Sequence, residues 1–158
     1  MARSVSKKTT ATTGLDINIL SNITLNKTVA VKAGFDAQST KASGLQKVAN
    51  MFYKTLFTQL GSNPLDKTEG TDLVSVFQSN LADRDVLFAF VSKEVEAGFQ
   101  QIKTFQERSN APVTEQLAGV RITSFLFDAS KQSLTFGVNI FNVNGDETTL
   151  QIPSIVIT

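Results

Sequence analysis

Between Asp83 and Arg108 the apolar residues Phe88, Val91, Val95, Phe99, Ile102 and Phe105 recur at steps of three and four. That interval brings side chains to one face of a helix. Lys93, Glu94, Glu96, Gln100, Gln101, Lys103 and Glu107 fall mostly on the remaining sides, so the pattern predicts one dry stripe and one wet flank. Asp83 or Asp85 suits the N-cap, and Pro112 forbids continuation. Such a helix spans roughly 36 Å, too long to be covered by one short partner. It needs a sheet or a second helix against its face.

Upstream, Leu45, Val48, Ala49, Phe52, Leu56 and Leu60 predict a helix over Gly44 to Leu60, with Ser43 as N-cap and Gly61 where a left-handed C-cap is expected. A shorter amphipathic segment, Thr71 to Leu81, presents Leu73, Val74, Phe77 and Leu81. Beyond Pro112 the period changes to two, the signature of strands. Gln116 to Phe127 is the first of these strands, Leu134 to Ile140 alternates cleanly, and Glu147 to Ile157 carries Leu150, Ile152, Ile155 and Ile157. Asn144-Gly145 between the last two predicts a hairpin, because both residues tolerate positive φ. The resulting class is α+β: two or three amphipathic helices packed on a C-terminal three-stranded antiparallel meander, with short N-terminal strands.

Those N-terminal strands are predicted around Leu15 to Leu20 and Val29 to Lys32, with Ser21, Asn22 and Asn26 in the turn between them and Ala33 to Ser43 as a loop. Met1 to Thr13 has almost nothing to bury and is expected to be a disordered arm, either a plain frayed terminus or a docking peptide that a partner orders; residues 14–158 then make one domain. Pro153 lacks the N–H an interior ladder needs, so the last strand is expected at an edge or bulged. Its apolar end has no charged residue to blunt it. Two outcomes follow: another chain's strand completes that edge, or residues 15 to 33 fold back and pair with it.

Composition narrows the chemistry. A net charge of +1 offers no bulk attraction for nucleic acid or an anionic membrane. The absence of Cys and His removes thiol and Ser-His-Asp catalysis and the usual zinc and haem ligands, and no cofactor is expected. No apolar run approaches the ~20 residues of a membrane span. Arg3, Lys7 and Lys8 are followed by Ser and Thr instead of an apolar segment, so synthesis and assembly in a cytoplasm are expected.

The segment Gly61-Ser62-Asn63-Pro64-Leu65, closed by Gly70-Thr71-Asp72-Leu73, sits between the two helical patterns and ahead of a C-terminal meander. In this it resembles the baseplate wedge family of contractile-tailed bacteriophages that initiates the tail sheath, sometimes labelled lysozyme-like. The resemblance runs from about Leu45 to Thr158. Gly61, Pro64, Leu65, Gly70, Thr71 and Leu73 match the family's loop. Members often carry a Glu-Pro-Arg triplet where the long helix gives way to the first strand, and the nearest counterpart here is Glu107-Arg108. The resemblance implies a structural virion protein of the tail baseplate, assembled in the host cytoplasm, that takes strands from the tail sheath protein and contacts baseplate wedge proteins, with the tail tube as a further candidate partner. Nucleic acid, membrane and small-molecule substrates are not expected. The partner-binding residues it implies are Gly61, Pro64, Leu65, Gly70, Thr71, Glu107, Arg108, Leu150, Ile152, Ile155 and Ile157.

Two other functions are open. The family label invites a peptidoglycan hydrolase built on Asp66, Glu69 and Asp72, but that polar loop lacks an evident apolar pocket to raise a carboxyl pKa, and Asp72 suits a helix N-terminus. A ring-forming tail terminator or connector would share the small α+β design.

Overall fold

The computed structural model describes residues 16–17, 20–25, 28–33, 41–77 and 83–156. In chain order these form β1 (Asp16–Ile17), β2 (Leu20–Leu25), β3 (Thr28–Ala33), β4 (Lys41–Ala42), α1 (Gly44–Phe57), α2 (Leu73–Phe77), α3 (Arg84–Ser109), a 3-10 turn (Val113–Glu115), β5 (Leu117–Asp128), β6 (Ser133–Asn142) and β7 (Glu147–Val156). The class is α+β, with β5, β6 and β7 as the antiparallel meander. The expected arm, residues 1–13, lies outside the described residues.

Local chemistry sets the ends of α3. Asp83 accepts hydrogen bonds from the N–H groups of Asp85 and Val86, and Asn110 closes the helix in the left-handed conformation, two residues before Pro112. Its buried row is Leu87, Val91, Glu94, Val95, Gly98, Ile102 and Gln106. Phe88 and Phe105, expected on the dry stripe, are instead 43% and 57% exposed. For Phe88 the reason is that Val86 to Val91 is apolar all round, so its spacing does not single out a face; Phe105 stands one position off the buried row Gly98, Ile102 and Gln106.

The core is made where α1 and α3 meet the sheet. Val48, Ala49, Phe52 and Leu56 from α1 join Leu87, Val91 and Ile102 from α3, and all pack on Leu134, Phe136, Val138, Ile140, Leu150 and Ile152. The clean alternation in β6 thus buries one face, as a period of two requires. α1 ends at Phe57, three residues before the expected stop, and Leu60 is exposed. Ser43 occupies the N-cap position but makes no capping hydrogen bond. The short α2 covers only the first part of the expected segment, and Leu81 lies outside the described residues.

At the β6–β7 hairpin only Gly145 takes positive φ, at 88°. Gly145 N–H donates to the Asn142 carbonyl and Asn142 N–H to that of Asp146, so the connection is a three-residue loop with a left-handed glycine rather than a two-residue turn. In the N-terminal part Ser21 and Asn22 fall within β2 instead of a turn, and Lys41–Ala42 pairs with Asp16–Ile17.

The main sheet has five strands in the order β2-β3-β7-β6-β5. Of the two outcomes for the last strand, the second is found: β3 runs parallel to β7, with Ala30 opposite Thr149 and Val31 opposite Leu150. At Thr149 and Leu150 the protein's own backbone therefore occupies the border that was expected to stay open for another chain. Pro153 is accommodated by a register shift between Leu134 and Phe136, where β7 carries an extra residue. That leaves β5 as the meander strand with a neighbour on one side only among the described residues.

Candidate functional site

The loop joining α1 to α2 is bolted to α3. Gly70 N–H donates to Gln101 Oε1 at 2.9 Å, and Gln101 Nε2 donates back to the Gly70 carbonyl at 2.6 Å. Gly70 has φ of 100°, and a Cβ there would run into the Thr58 carbonyl, so glycine is required twice over. Thr71 Oγ1 donates to the Leu56 carbonyl at 2.7 Å, while Asp72 N–H donates to Glu94 Oε2 at 2.9 Å. Glu94 is buried on the dry side of α3, where an ionised carboxylate needs such a donor. Gly70 and Thr71 are buried and hold the loop together from inside.

Beyond this bolt, residues 62–69 stand outward. Leu65 N–H donates to Asn63 Oδ1, Asn63 Nδ2 donates to the Glu69 carboxylate, and Asp66 Oδ1 accepts from both the hydroxyl (2.6 Å) and the N–H (2.9 Å) of Thr68. Those Thr68 hydrogen bonds hold the Asp66 carboxyl below the usual carboxylate range. A glycosidase acid needs the opposite shift. Between this loop and the helices lies a cleft of about 610 Å³, with Met51 and Thr55 from α1, Asp66, Thr68 and Glu69 from the loop, and Gln100 to Ile102, Thr104, Phe105 and Arg108 from α3. Gly61, Pro64 and Leu65 are exposed, Leu65 almost completely, as are Glu107 and Arg108 on the last turns of α3.

A second polar cluster occupies the passage from α3 into β5. Lys47 Nζ stands 2.7 Å from Glu115 Oε2, and both side chains are largely buried. Gln106 Nε2 donates to the Glu115 carbonyl, and Leu117 N–H donates to Gln106 Oε1 at 2.8 Å. The carboxylate fixed at this junction is thus Glu115, whereas Glu107, the expected counterpart, is a surface residue. The sequence did not single out Lys47, Gln106 or Glu115, and it placed Glu94 and Gln101 on the wet flank of α3, where Glu94 is instead buried and Gln101 clamps Gly70. Glu94 and Gln106 carried a legible signal, since both lie at helical spacing from Leu87, Val91 and Ile102.

The outer border of β5 is the third feature. Val120, Ile122, Phe125 and Phe127 point toward the core yet stay only partly buried, because no strand follows on that side among the described residues. Phe88 of α3 meets Phe125 edge to face at 5.2 Å, the Arg84 guanidinium lies 5.9 Å from the same ring, and Leu126 is 68% exposed. Arg121 is the one charged side chain between Leu117 and Phe127.

Of the residues expected to meet partners, Leu150 and Ile152 are fully buried core residues, Ile155 pairs through its backbone with Leu134, and Ile157 lies outside the described residues. The side chains of Leu150 and Ile152 pack in the core with those of the helices, and Thr71 is buried as well. Among the described residues no helix is long and apolar enough to cross a membrane, and no group of three or more His, Cys, Asp or Glu is placed to hold a metal ion. No family model and no curated protein matches the chain.

Proposed function

We propose that the chain is a structural protein of a contractile phage tail baseplate, where it anchors the first tail sheath subunits by accepting an extended segment of the sheath protein along β5. The role is mechanical and uses neither cofactor nor small-molecule substrate. The observation that carries the reading is the outer border of β5, a twelve-residue strand with half-buried apolar side chains and a single charge before its last residue. Isolated proteins usually blunt such a border with Lys, Pro or a covering loop. An added strand would satisfy the free backbone groups of β5 and cover Val120, Ile122 and Phe125, with the exposed ring of Phe88 against its inner side. The loop Gly61 to Leu73 supports the same reading through the family it resembles.

Wedge proteins have a separate place to bind, on the outward loop at Pro64 and Leu65 and the nearby Glu107 and Arg108. That separation suits an anchor, which must hold the baseplate with one surface while the sheath is seated on another.

The test is sheath nucleation in a reconstituted mixture of this protein, its wedge partners and the sheath protein. Leu126→Lys places a charge at the proposed seam and, being at an exposed position, should leave thermal unfolding unchanged within about 0.5 kcal/mol. Nucleation is expected to fall at least about tenfold. Nucleation at the unmodified rate, with the variant folded, would exclude β5 as the seam.

A further inference from the structure

The cleft between the loop and α3 takes no part in strand addition, and its charged groups are sorted by wall. Asp66 and Glu69 stand on the loop wall, Arg108 on the α3 wall, and Met51 and Phe105 supply apolar surface between them. We propose that this cleft is a socket for a Lys or Arg side chain flanked by an apolar residue, carried on an extended segment of a neighbouring baseplate protein. The identity of the neighbour rests on the assembly role proposed above; the chemistry of the socket does not.

Charge complementarity selects the occupant. Two carboxylates face one guanidinium, so the loop wall favours a cation, and the Thr68 hydrogen bonds keep Asp66 ionised across the neutral range. Phe105 is 57% exposed, and a cation entering between the carboxylates can lie against that ring. Beside those Thr68 hydrogen bonds, Arg108 helps to hold the Asp66 pKa down through its charge, yet among the described residues it forms no ion pair within 4.0 Å, so its guanidinium can still meet a backbone carbonyl or carboxylate of the same segment. Gln100, Gln101 and Thr104 add hydrogen-bonding groups along the α3 wall. The volume falls within the range of small-ligand pockets and suits a few side chains rather than a whole helix.

The socket is also built in advance. Gln101 clamps Gly70, and Asn63 and Thr68 orient Glu69 and Asp66, so the acidic wall does not have to be ordered when the segment arrives. Binding then forfeits little conformational entropy on the receiving side.

The probe is the dipeptide acetyl-Leu-Arg-amide, titrated into the full-length protein labelled with 15N, alongside its neutral isostere acetyl-Leu-citrulline-amide. The arginine peptide is expected to shift the amide signals of Thr68, Glu69 and Gln101 saturably, and the citrulline peptide to bind about threefold or more weakly. Asp66→Asn with Glu69→Gln should bring the arginine peptide down to the citrulline level, while Asp85→Asn, an exposed carboxylate at the opposite end of α3, leaves it unchanged; circular dichroism verifies that each variant is folded. Equal binding of the two peptides, or binding that survives the double substitution, overturns the socket. A chain lacking residues 1–13 that binds the arginine peptide more than about tenfold tighter than the full chain would show that Arg3, Lys7 and Lys8 compete for the cleft, and would overturn the assignment to a neighbour. Sheath nucleation that fails the Leu126→Lys test leaves these outcomes untouched, so the two readings stand or fall separately.

Discussion

At one border of the meander β7 meets β3, and the Leu150 side chain there is fully buried. At the other border β5 has no further strand among the described residues, and Leu126 stands in solvent. Both strands are apolar, and it is β7 that contains a proline. Composition therefore says little about which border a neighbour can reach. The deciding fact is which segment folds back beside each strand. The N-terminal hairpin takes one side, and α3 leans over the other with Phe88 on Phe125 while leaving the backbone border open.

The largest expected effect comes from breaking the closed border. Val31 sits in β3, which has neighbours on both sides, so Val31→Pro removes a ladder hydrogen bond from one of them. A loss of about 3 kcal/mol is expected in urea unfolding, together with concentration-dependent self-association in sedimentation as β7 is uncovered. Stability and sedimentation like those of the unmodified chain would mean that β3 does little to guard β7.

Next in size, Leu150→Ala should cost about 3 kcal/mol, whereas Leu126→Ala should stay within about 0.5 kcal/mol. The contrast, read from paired denaturation curves, measures how differently the two borders serve the core. Similar values would place Leu126 in a packed environment.

A smaller effect is expected at Gly119 on β5, where the Phe141 ring from β6 covers the glycine. Gly119→Ala pushes a Cβ into the outer end of that ring, which can swing aside because Phe141 is partly exposed. A cost of about 1 kcal/mol, with a large shift of the Phe141 ring signals, is the expected outcome.

The smallest concerns the turn between β5 and β6. The Ser130 hydroxyl and the N–H groups of Lys131 and Ser130 hydrogen-bond the Asp128 carboxylate and hold its pKa below the ordinary value. A depressed carboxyl stabilises the fold above its unfolded pKa and loses that contribution as pH falls through the folded one. Asp128→Asn should therefore lower stability slightly at pH 7, change it little near pH 2, and flatten the profile between about pH 4 and pH 2. An unchanged acid limb would contradict the assigned hydrogen bonds.

What was legible in the sequence was local. Asp83 and Pro112 bracket α3 because caps and prolines act within a turn, and the strict alternation in β6 exposes its own buried face. The face of α3 was only partly legible, since an apolar stretch from Val86 to Val91 offers every direction at once. Parallel pairing of β3 with β7 joins segments at opposite ends of the chain and leaves no local periodicity to detect. At the loop, Gly70 and Thr71 have the residue types of a recognition motif, yet the same types are demanded by positive φ and by a hydroxyl that must reach the Leu56 carbonyl. Glu115 was hidden for a related reason: a carboxylate just before a strand reads as solvated until Lys47, far away in sequence, is brought beside it.

The parallel seam between β3 and β7 also has a bearing on how the protein is made. Translation delivers Ala30 and Val31 well before Thr149 and Leu150, so the hairpin that will guard the sheet emerges from the ribosome long before there is anything for it to guard. A contact so distant along the chain closes slowly. The hairpin must wait through the synthesis of both long helices, and a ribosome stalled after β6 would hold a nascent chain in which β3 still lacks β7, the strand it pairs with.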